Sequence, residues 1–389
     1  MNVNRAYNTN TQQRPRIAPQ VAELWSKFDM ILLGAVALLV LVGMLFIRSA
    51  TLDAIDPILI GRLQSQIIYA FLGFGVLFVM TMIDYRLLGV LEPYIYGSLV
   101  FSLGLVAVAG QVGGAGAQRW LDVGIPIQPS EIGKMLIIIA LGMHLTRRYH
   151  KLDRFSTVIV SILYMAIPMA LIFIQPNLGN TIAFAVIWFV MIWGAGLRLR
   201  HLAILILVVF VSLPVLWVNM EEYQQRRITT FIDPDSDPDA QFNVDQSLIS
   251  IGSGGLLGKG YASGSQTQGR FLRVRHTDFI FSVIAHETGF LGAATVLTLL
   301  GVVIWRITRA AAKARDPLGS LICYGVAGII FFQTFTAVGM NVALLPVTGL
   351  TLPFVSSGGT SLLSLLFGIG LVQSVNLRRE SVRLGSVYE

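Results

Sequence analysis

Few side chains in this sequence could do chemistry, and they gather where polar stretches meet apolar ones. The plainest case is Arg270 to Phe290, where a segment rich in Gly, Ser and Gln runs into an apolar helix and leaves His276, Thr277 and Asp278 at the boundary. A carboxylate at the mouth of a membrane helix is near enough to water to ionise and near enough to low dielectric for its pKa to be tuned. Asp278 is therefore a candidate general base. The same three residues also form a good N-cap sequence, in which Thr277 or Asp278 bonds the first free amides of the helix. His286 and Glu287 follow on that helix, with Glu287 roughly 13 Å along and half a circle round. That separation excludes a close pair of carboxylates of the kind a retaining glycosidase uses.

Glu131 and Lys134 are spaced i, i+3 on a second apolar segment, so a helix puts them on one face. Each charge alone would cost about 3 kcal/mol at the centre of a span, so they are either an ion pair holding helices in register or part of a charged cavity that meets a substrate. Arg119 and Trp120 precede them, and a Trp there is also a natural interfacial anchor. Gly252 to Gly260, GSGGLLGKG, looks at first like a phosphate loop. Ser253 stands where Gly is required and Gly260 where Ser or Thr should hold magnesium. A flexible turn or re-entrant segment closing over the bundle is the better use of those glycines, with Lys259 left as a cation that could meet a lipid-borne phosphate. No H-E-x-x-H, G-x-S-x-G or Walker pattern occurs, which removes metalloprotease, serine-hydrolase and ATPase chemistry.

These residues need a scaffold, and composition says which. With 54% hydrophobic and 13% charged residues among 389 and a mean hydropathy of +0.71, the chain is expected to be an all-α polytopic membrane protein. Apolar runs near the length that crosses a bilayer fall at about 30–48, 64–83, 94–112, 131–146, 156–174, 178–196, 201–219, 278–305, 320–341 and 358–376. About ten spans form a single membrane domain over residues 30–376, between a polar tail at 1–29 and another at 377–389, with one long loop at 220–277 between spans seven and eight. The first span has no cleavage site after it and reads as uncleaved. Cys323 is alone, so no intrachain disulfide forms, and it reads as a small packing residue.

Eighteen of the 28 Lys and Arg fall in the tails and in the loops on one side of this bundle. By the positive-inside rule both termini are cytoplasmic, and the basic clusters anchor to the inner leaflet of a cytoplasmic membrane, with no nucleic-acid partner. All the informative polar segments then face outward: 114–134, QPNLGN at 175–180, the loop 220–277, and LLPVTGLTLPFVSSGGTS at 344–361.

In this order, GAQRWLDVG with QPSEIGK, then QPNLG, then FNVDQSLISIGSGGLLGKG with HTDFIF, and finally LLPVTGLTLPF with SSGGTSLLS resemble the SEDS family, the RodA and FtsW proteins of bacterial cell elongation and division. AQRWLD leans towards RodA and GLTLPF towards FtsW. The resemblance spans all ten runs and implies a peptidoglycan glycosyltransferase that polymerises lipid II on the outer face of the cytoplasmic membrane, beside a class B penicillin-binding protein that crosslinks the strand. It places the essential aspartate on Asp278, the outer tryptophan motif on Trp120 and the charged pair on Glu131 and Lys134, with His276 and Thr277 flanking the substrate.

The sequence departs from the family pattern at Leu272-Arg273-Val274, Thr267-Gln268-Gly269, Ala285-His286-Glu287 and Asn177. None of these is Asp278, and Arg273 and Arg275 add cations that could attract a diphosphate. In the implied reaction Asp278 takes a proton from the attacking sugar hydroxyl, while Arg119, Lys134, Lys259 or a divalent cation, Mg or Mn, stabilises the leaving lipid diphosphate. Two rival classes remain, a transporter that flips a lipid-linked saccharide and a non-catalytic scaffold of a cell-wall complex. The outward placement of the polar residues favours the enzyme, because a carrier also needs a polar path to the cytoplasm.

Overall fold

A computed structural model describes residues 25–52, 59, 61–112, 118–122, 126–151, 153–269, 271–272 and 274–379. Most of both tails, together with Arg270 and Arg273, lies outside the described residues. In chain order the elements are α1 (Met30–Thr51), α2 (Arg62–Met82), the short α3 (Tyr85–Val90), α4 (Glu92–Ala109), strands β1 (Gln111–Val112), β2 (Gln118–Asp122) and β3 (Pro126–Ile127), then α5 (Pro129–Thr146), α6 (Phe155–Ile174), α7 (Leu178–Gly194) and α8 (Leu199–Val218). They continue with α9 (Glu222–Ile232), α10 (Pro238–Gly254), the short α11 (Ser265–Gln268), α12 (Ile280–Ala312), α13 (Pro317–Asn341) and α14 (Gly359–Leu377).

Every apolar run in the sequence has become a helix, with ends shifted by a few residues. Among the described residues eight are long and apolar enough to cross a membrane, namely α1, α2, α4, α6, α8, α12, α13 and α14. The other two runs are α7, with 17 residues, and α5, the helix of Glu131 and Lys134. The protein is thus a multi-pass, all-α membrane protein apart from one small antiparallel sheet, in which Gln111 faces Trp120 and Leu121 faces Ile127.

Helix α14 is almost wholly buried and forms the axis of the bundle, packed along α2 and touching α5, α12 and α13. At the basic end, ion pairs tie helix termini together. Asp29 caps α1 through the Leu32 amide, pairs with Arg306 of α12 at 2.7 Å, and exchanges backbone hydrogen bonds with Gln373 of α14. Asp316 caps α13 and meets both Arg86, at 2.9 Å, and the Tyr85 hydroxyl, at 2.6 Å.

The segment 220–277 differs from the expected long loop, because α9, α10 and α11 occupy much of it. They are far more polar than the spans, so a search for apolar runs of bilayer length passes over them. The glycine-rich stretch is a turn, and it has a specific job. Gly289 breaks α12 with φ 68° and ψ −164°, and a break inside a membrane helix leaves backbone groups that hydrocarbon cannot satisfy. The turn supplies them. Phe290 and Leu291 amides donate to the carbonyls of Gly255 (2.8 Å) and Leu256 (3.2 Å), while Lys259 and Gly260 amides donate to His286 and Glu287 carbonyls, both at 3.0 Å.

Glu287 locks the same joint from the side, accepting from the Ser49 hydroxyl at the end of α1 (2.5 Å) and from the Ala262 amide (3.1 Å). The approach is so close that a Cβ at Gly258, where φ is +80°, would collide with the Glu287 carbonyl. We expect Gly258→Ala to lower the melting temperature of detergent-purified protein, by roughly 2 kcal/mol or more of stability, from combined strain and overpacking. Gly252→Ala, where a Cβ meets nothing within 4 Å, is the control. Equal melting temperatures for the two would refute the joint.

Candidate active site

Asp278 lies just before α12 in non-helical backbone, and its position is fixed from the main chain outward. Three consecutive carbonyls are held by neighbouring elements. That of His276 accepts from the Ser357 amide (3.0 Å), that of Thr277 from the Ser356 hydroxyl (2.8 Å), and that of Asp278 from Asn341 Nδ2 at the end of α13 (2.8 Å). Asn341 is itself buried in a polar knot. Its Oδ1 accepts from the Ser282 amide (3.1 Å) and hydroxyl (2.5 Å), and Ser247 of α10 bonds both the Ser282 hydroxyl (2.5 Å) and the Asn341 carbonyl (2.7 Å). The knot ties α10, α12 and α13 at one point.

The N-cap of α12 is Phe279, with no side-chain capping bond. Neither Thr277 nor Asp278 caps the helix, so the structural role that its residue type suggests is not the one Asp278 fills. Its carboxylate instead lines a cavity of about 400 Å³ enclosed by α9, α10, residues 274–279 and residues 343–347. Arg227 of α9 lines the same cavity, and its guanidinium and the Asp278 carboxylate both flank Gly349. Burial pushes the Asp278 carboxyl above the ordinary aspartate range, while the Arg227 charge and the Thr277 hydroxyl pull it back.

The other candidates are distributed around this cavity, not within it. His276 is buried, and burial together with the Arg62 and Arg275 charges lowers its pKa to about 4, so the ring is neutral at pH 7. Thr277 is partly buried beside Asp278. Arg275 is buried and donates to the Ala50 and Leu272 carbonyls, which corrects its expected use as an open anion trap. Lys259 is exposed, but its backbone sits on the joint at His286, some eight residues down α12 from Asp278.

Glu131 and Lys134 do form the ion pair, at 2.7 Å, and both are buried. Lys134 also reaches Asn180 Oδ1 at 3.4 Å, and Asn180 Nδ2 donates to Ser130 at 3.0 Å, so the QPNLGN segment closes over the pair. Trp120 is partly buried on β2. Arg119 donates to the carbonyls of Gln175 and Pro176, bracing the break between α6 and α7. Both clusters share one end of the bundle through residues 344–361, since Thr351 and Ser361 hydroxyls bond at 2.9 Å and Ser364 donates to the Glu131 carbonyl at 2.6 Å.

Arg227, Asp237 and Asn243 are the cavity residues that sequence reasoning does not single out. The adjacent Arg226 and Arg227 carry no motif, and only the place of Arg227 in the cavity with Asp278 reveals it.

Comparisons with known proteins give the family of the chain. The FtsW/RodA/SpoVE cell cycle protein family matches residues 29–381. The peptidoglycan glycosyltransferase MrdB of Escherichia coli K12 is 35% identical over 365 residues, covering 93% of this chain and 97% of its own. A probable peptidoglycan glycosyltransferase FtsW of Geobacter sulfurreducens is 34% identical over 81% of this chain and 85% of its own. Among solved structures, a chain from a peptidoglycan synthase complex that coordinates polymerization and crosslinking superposes with a TM-score of 0.77 at 30% identity, covering 90% of this chain and 97% of that one. The rod shape determining protein RodA of Thermus thermophilus superposes with a TM-score of 0.67 at 30% identity, covering 92% and 99%. The chain belongs to the FtsW/RodA/SpoVE family of cell cycle proteins, the SEDS family.

Proposed function

We propose that this protein is a peptidoglycan glycosyltransferase that polymerises lipid II into glycan strands on the outer face of the bacterial cytoplasmic membrane, with Asp278 as general base. The observation that carries the reading is the Asp278 carboxylate, free of any capping duty, in a cavity beside Arg227. A sugar hydroxyl is a poor nucleophile at neutral pH and needs a base as it attacks the anomeric carbon of the growing strand. Asp278 accepts that proton. Arg227, not Lys259 or Arg119, is the cation placed to meet the negative charge that develops on the departing lipid diphosphate. One direct displacement inverts the anomeric centre and needs no second carboxylate.

Among the described residues no group of three or more His, Cys, Asp or Glu side chains converges as a metal site. Magnesium is commonly held by one or two carboxylates plus substrate phosphates, so Asp278 fits as one ligand of an Mg or Mn ion that arrives with the diphosphate. Such an ion would neutralise phosphate charge; none of the steps above is routed through it. The natural partner is a class B penicillin-binding protein, whose single span would pack on lipid-facing helices of the bundle.

Purified protein given lipid II in detergent separates polymerase from transporter, because only an enzyme makes glycan without a membrane to cross. Asp278→Asn keeps the side-chain shape but cannot take a proton, and is expected to lose roughly 100-fold or more of the turnover at equal folded protein. Asp278→Glu should fall between. The pH profile adds a second reading of the same group. The base works ionised, so activity falls as pH drops through its pKa; burial raises that pKa and Arg227 lowers it. Arg227→Gln should therefore move the acid limb to higher pH as well as slow the reaction. An Asp278→Asn enzyme within a few-fold of the parent would sink the base assignment.

For orientation, 18 basic residues fall in the tails and loops on one side of the spans read from the sequence, and the positive-inside rule supports cytoplasmic termini with α9 to α11 outside. Single cysteines at Ser236 and Ser381 in a Cys323→Ala background test this. An impermeant maleimide on intact cells should label the first and not the second. The reverse pattern would invert the topology.

A further inference from the structure

Three of the segments that wall the Asp278 cavity are residues 274–279, the first turns of α10 with Gln241, Asn243 and Val244, and residues 343–347. All three are tied to one buried residue, Asn341, the last of α13. Its Nδ2 donates to the Asp278 carbonyl (2.8 Å) and to the Ala337 carbonyl of its own helix (2.7 Å), and its Oδ1 accepts from the Ser282 amide (3.1 Å) and hydroxyl (2.5 Å). Every hydrogen-bonding site of the amide is thereby used. A flip of the group would set its oxygen against two carbonyl oxygens, so its orientation is fixed.

The other two walls are referenced to the same residue through its main chain. The Asn341 carbonyl accepts from the hydroxyl of Ser247 (2.7 Å), one turn along α10 from Asn243 and Val244. Two residues after Asn341 the chain turns through Ala343, whose φ of 56° lies in the left-handed region that a residue with a Cβ seldom enters. The Leu344 and Leu345 amides both donate to the Gly339 carbonyl, at 2.8 and 3.2 Å, and hold the turn. Leu345, Pro346 and Val347 run from it directly into the cavity wall. Strained backbone of this kind persists only where its surroundings over-determine it, and it gathers at sites that need a fixed geometry. We propose that Asn341 is a positioning residue, which sets the Asp278 main chain, α10 and residues 343–347 in one register so that the base meets the attacking hydroxyl. Asn341 acts through Asp278 and not on the substrate, since every side-chain bond it makes goes to the protein. This rests on the polymerase reading of the site and names the residue that aligns its base.

The test separates alignment of the base from general support of the fold. Asn341→Leu keeps a similar volume and removes both amide donors. Asn341→Ser takes its place if the yield of folded protein is poor, since it overpacks nothing and its short hydroxyl turns back to the Ala337 carbonyl as a helical Ser does. Thr336→Val is the control, because the Thr336 hydroxyl bonds the Phe332 and Gln333 carbonyls of its own helix. Steady-state polymerisation of lipid II is measured at equal folded protein with each full-length variant, alone and combined with Asp278→Asn. Residual rates are followed over hours with radiolabelled lipid II.

Loss of alignment should lower kcat roughly 10- to 100-fold with KM within a few-fold, and Thr336→Val should stay within a few-fold of the parent. In the Asp278→Asn background the Asn341 substitution should cost less than about 3-fold, because the group it aligns is already gone. A kcat near the parent's in a folded Asn341 variant, a change confined to KM, or an equal fold-loss with and without the Asp278 carboxylate would each overturn the assignment while leaving the polymerase reading intact. No glycan from the unaltered protein would overturn both.

Discussion

A backbone that leaves helical geometry within or at the edge of a bilayer must find its hydrogen bonds inside the protein. Much of the architecture at the site end follows from this requirement. Residues 276–278 run outside any helix, and their three carbonyls are taken up in turn by Ser357, Ser356 and Asn341. The same need at Gly289 is met by the turn at 255–260. Because the partners come from α13 and from residues 344–361, Asp278 is located by parts of the chain far from it in sequence. A side chain on a regular helix can rotate with that helix; one on backbone pinned at three successive carbonyls has far less freedom, and catalysis needs that precision.

Charge is handled at this end by two different devices. Glu131 and Lys134 neutralise each other at 2.7 Å with Asn180 closing the remaining valence, an arrangement that offsets the large cost of burying either charge alone. Breaking it by removing one partner would leave an uncompensated buried charge. Asp278 and Arg227 instead both line a cavity, and the guanidinium is near enough to the carboxylate to lower its pKa. Arg119, which residue type alone marks as an anion binder, belongs with the first kind, because backbone carbonyls already engage its guanidinium.

Span positions were legible in the sequence because the bilayer imposes one length on every crossing, and the ion pair because i, i+3 spacing allows little else. Asp278 stood out for its place at a boundary between polar and apolar segments. What escaped was organised by tertiary contact. Helices α9 and α10 are too polar to stand out as apolar runs of bilayer length, so Arg227 and Asn243 looked like ordinary loop residues. The glycine stretch signalled a turn, but its use depends on a break thirty residues later at Gly289. Capping by Asp278 was a sound reading of local sequence, and it fails because α12 begins one residue further on, with Phe279 at the cap.

The pairing of Asp278 with Arg227 also carries a compromise. A cation near a carboxylate lowers its basicity, which weakens proton abstraction, while burial raises it. If Arg227 were closer, or the cavity wetter, Asp278 would hold its charge so firmly that it would be a poor base at neutral pH. With no cation nearby, burial would raise its pKa further and favour the protonated form, which cannot take up a proton. In the proposed reaction Arg227 has two roles that pull in one direction. In the ground state it favours the ionised carboxylate. With Asp278 as the proposed base, the carboxylate charge disappears and the diphosphate charge grows as the hydroxyl proton moves, and a nearby guanidinium can serve the second charge as the first is lost. A single arginine beside the proposed base can therefore favour both charges in sequence, whereas Lys134 is held in a buried ion pair with Glu131.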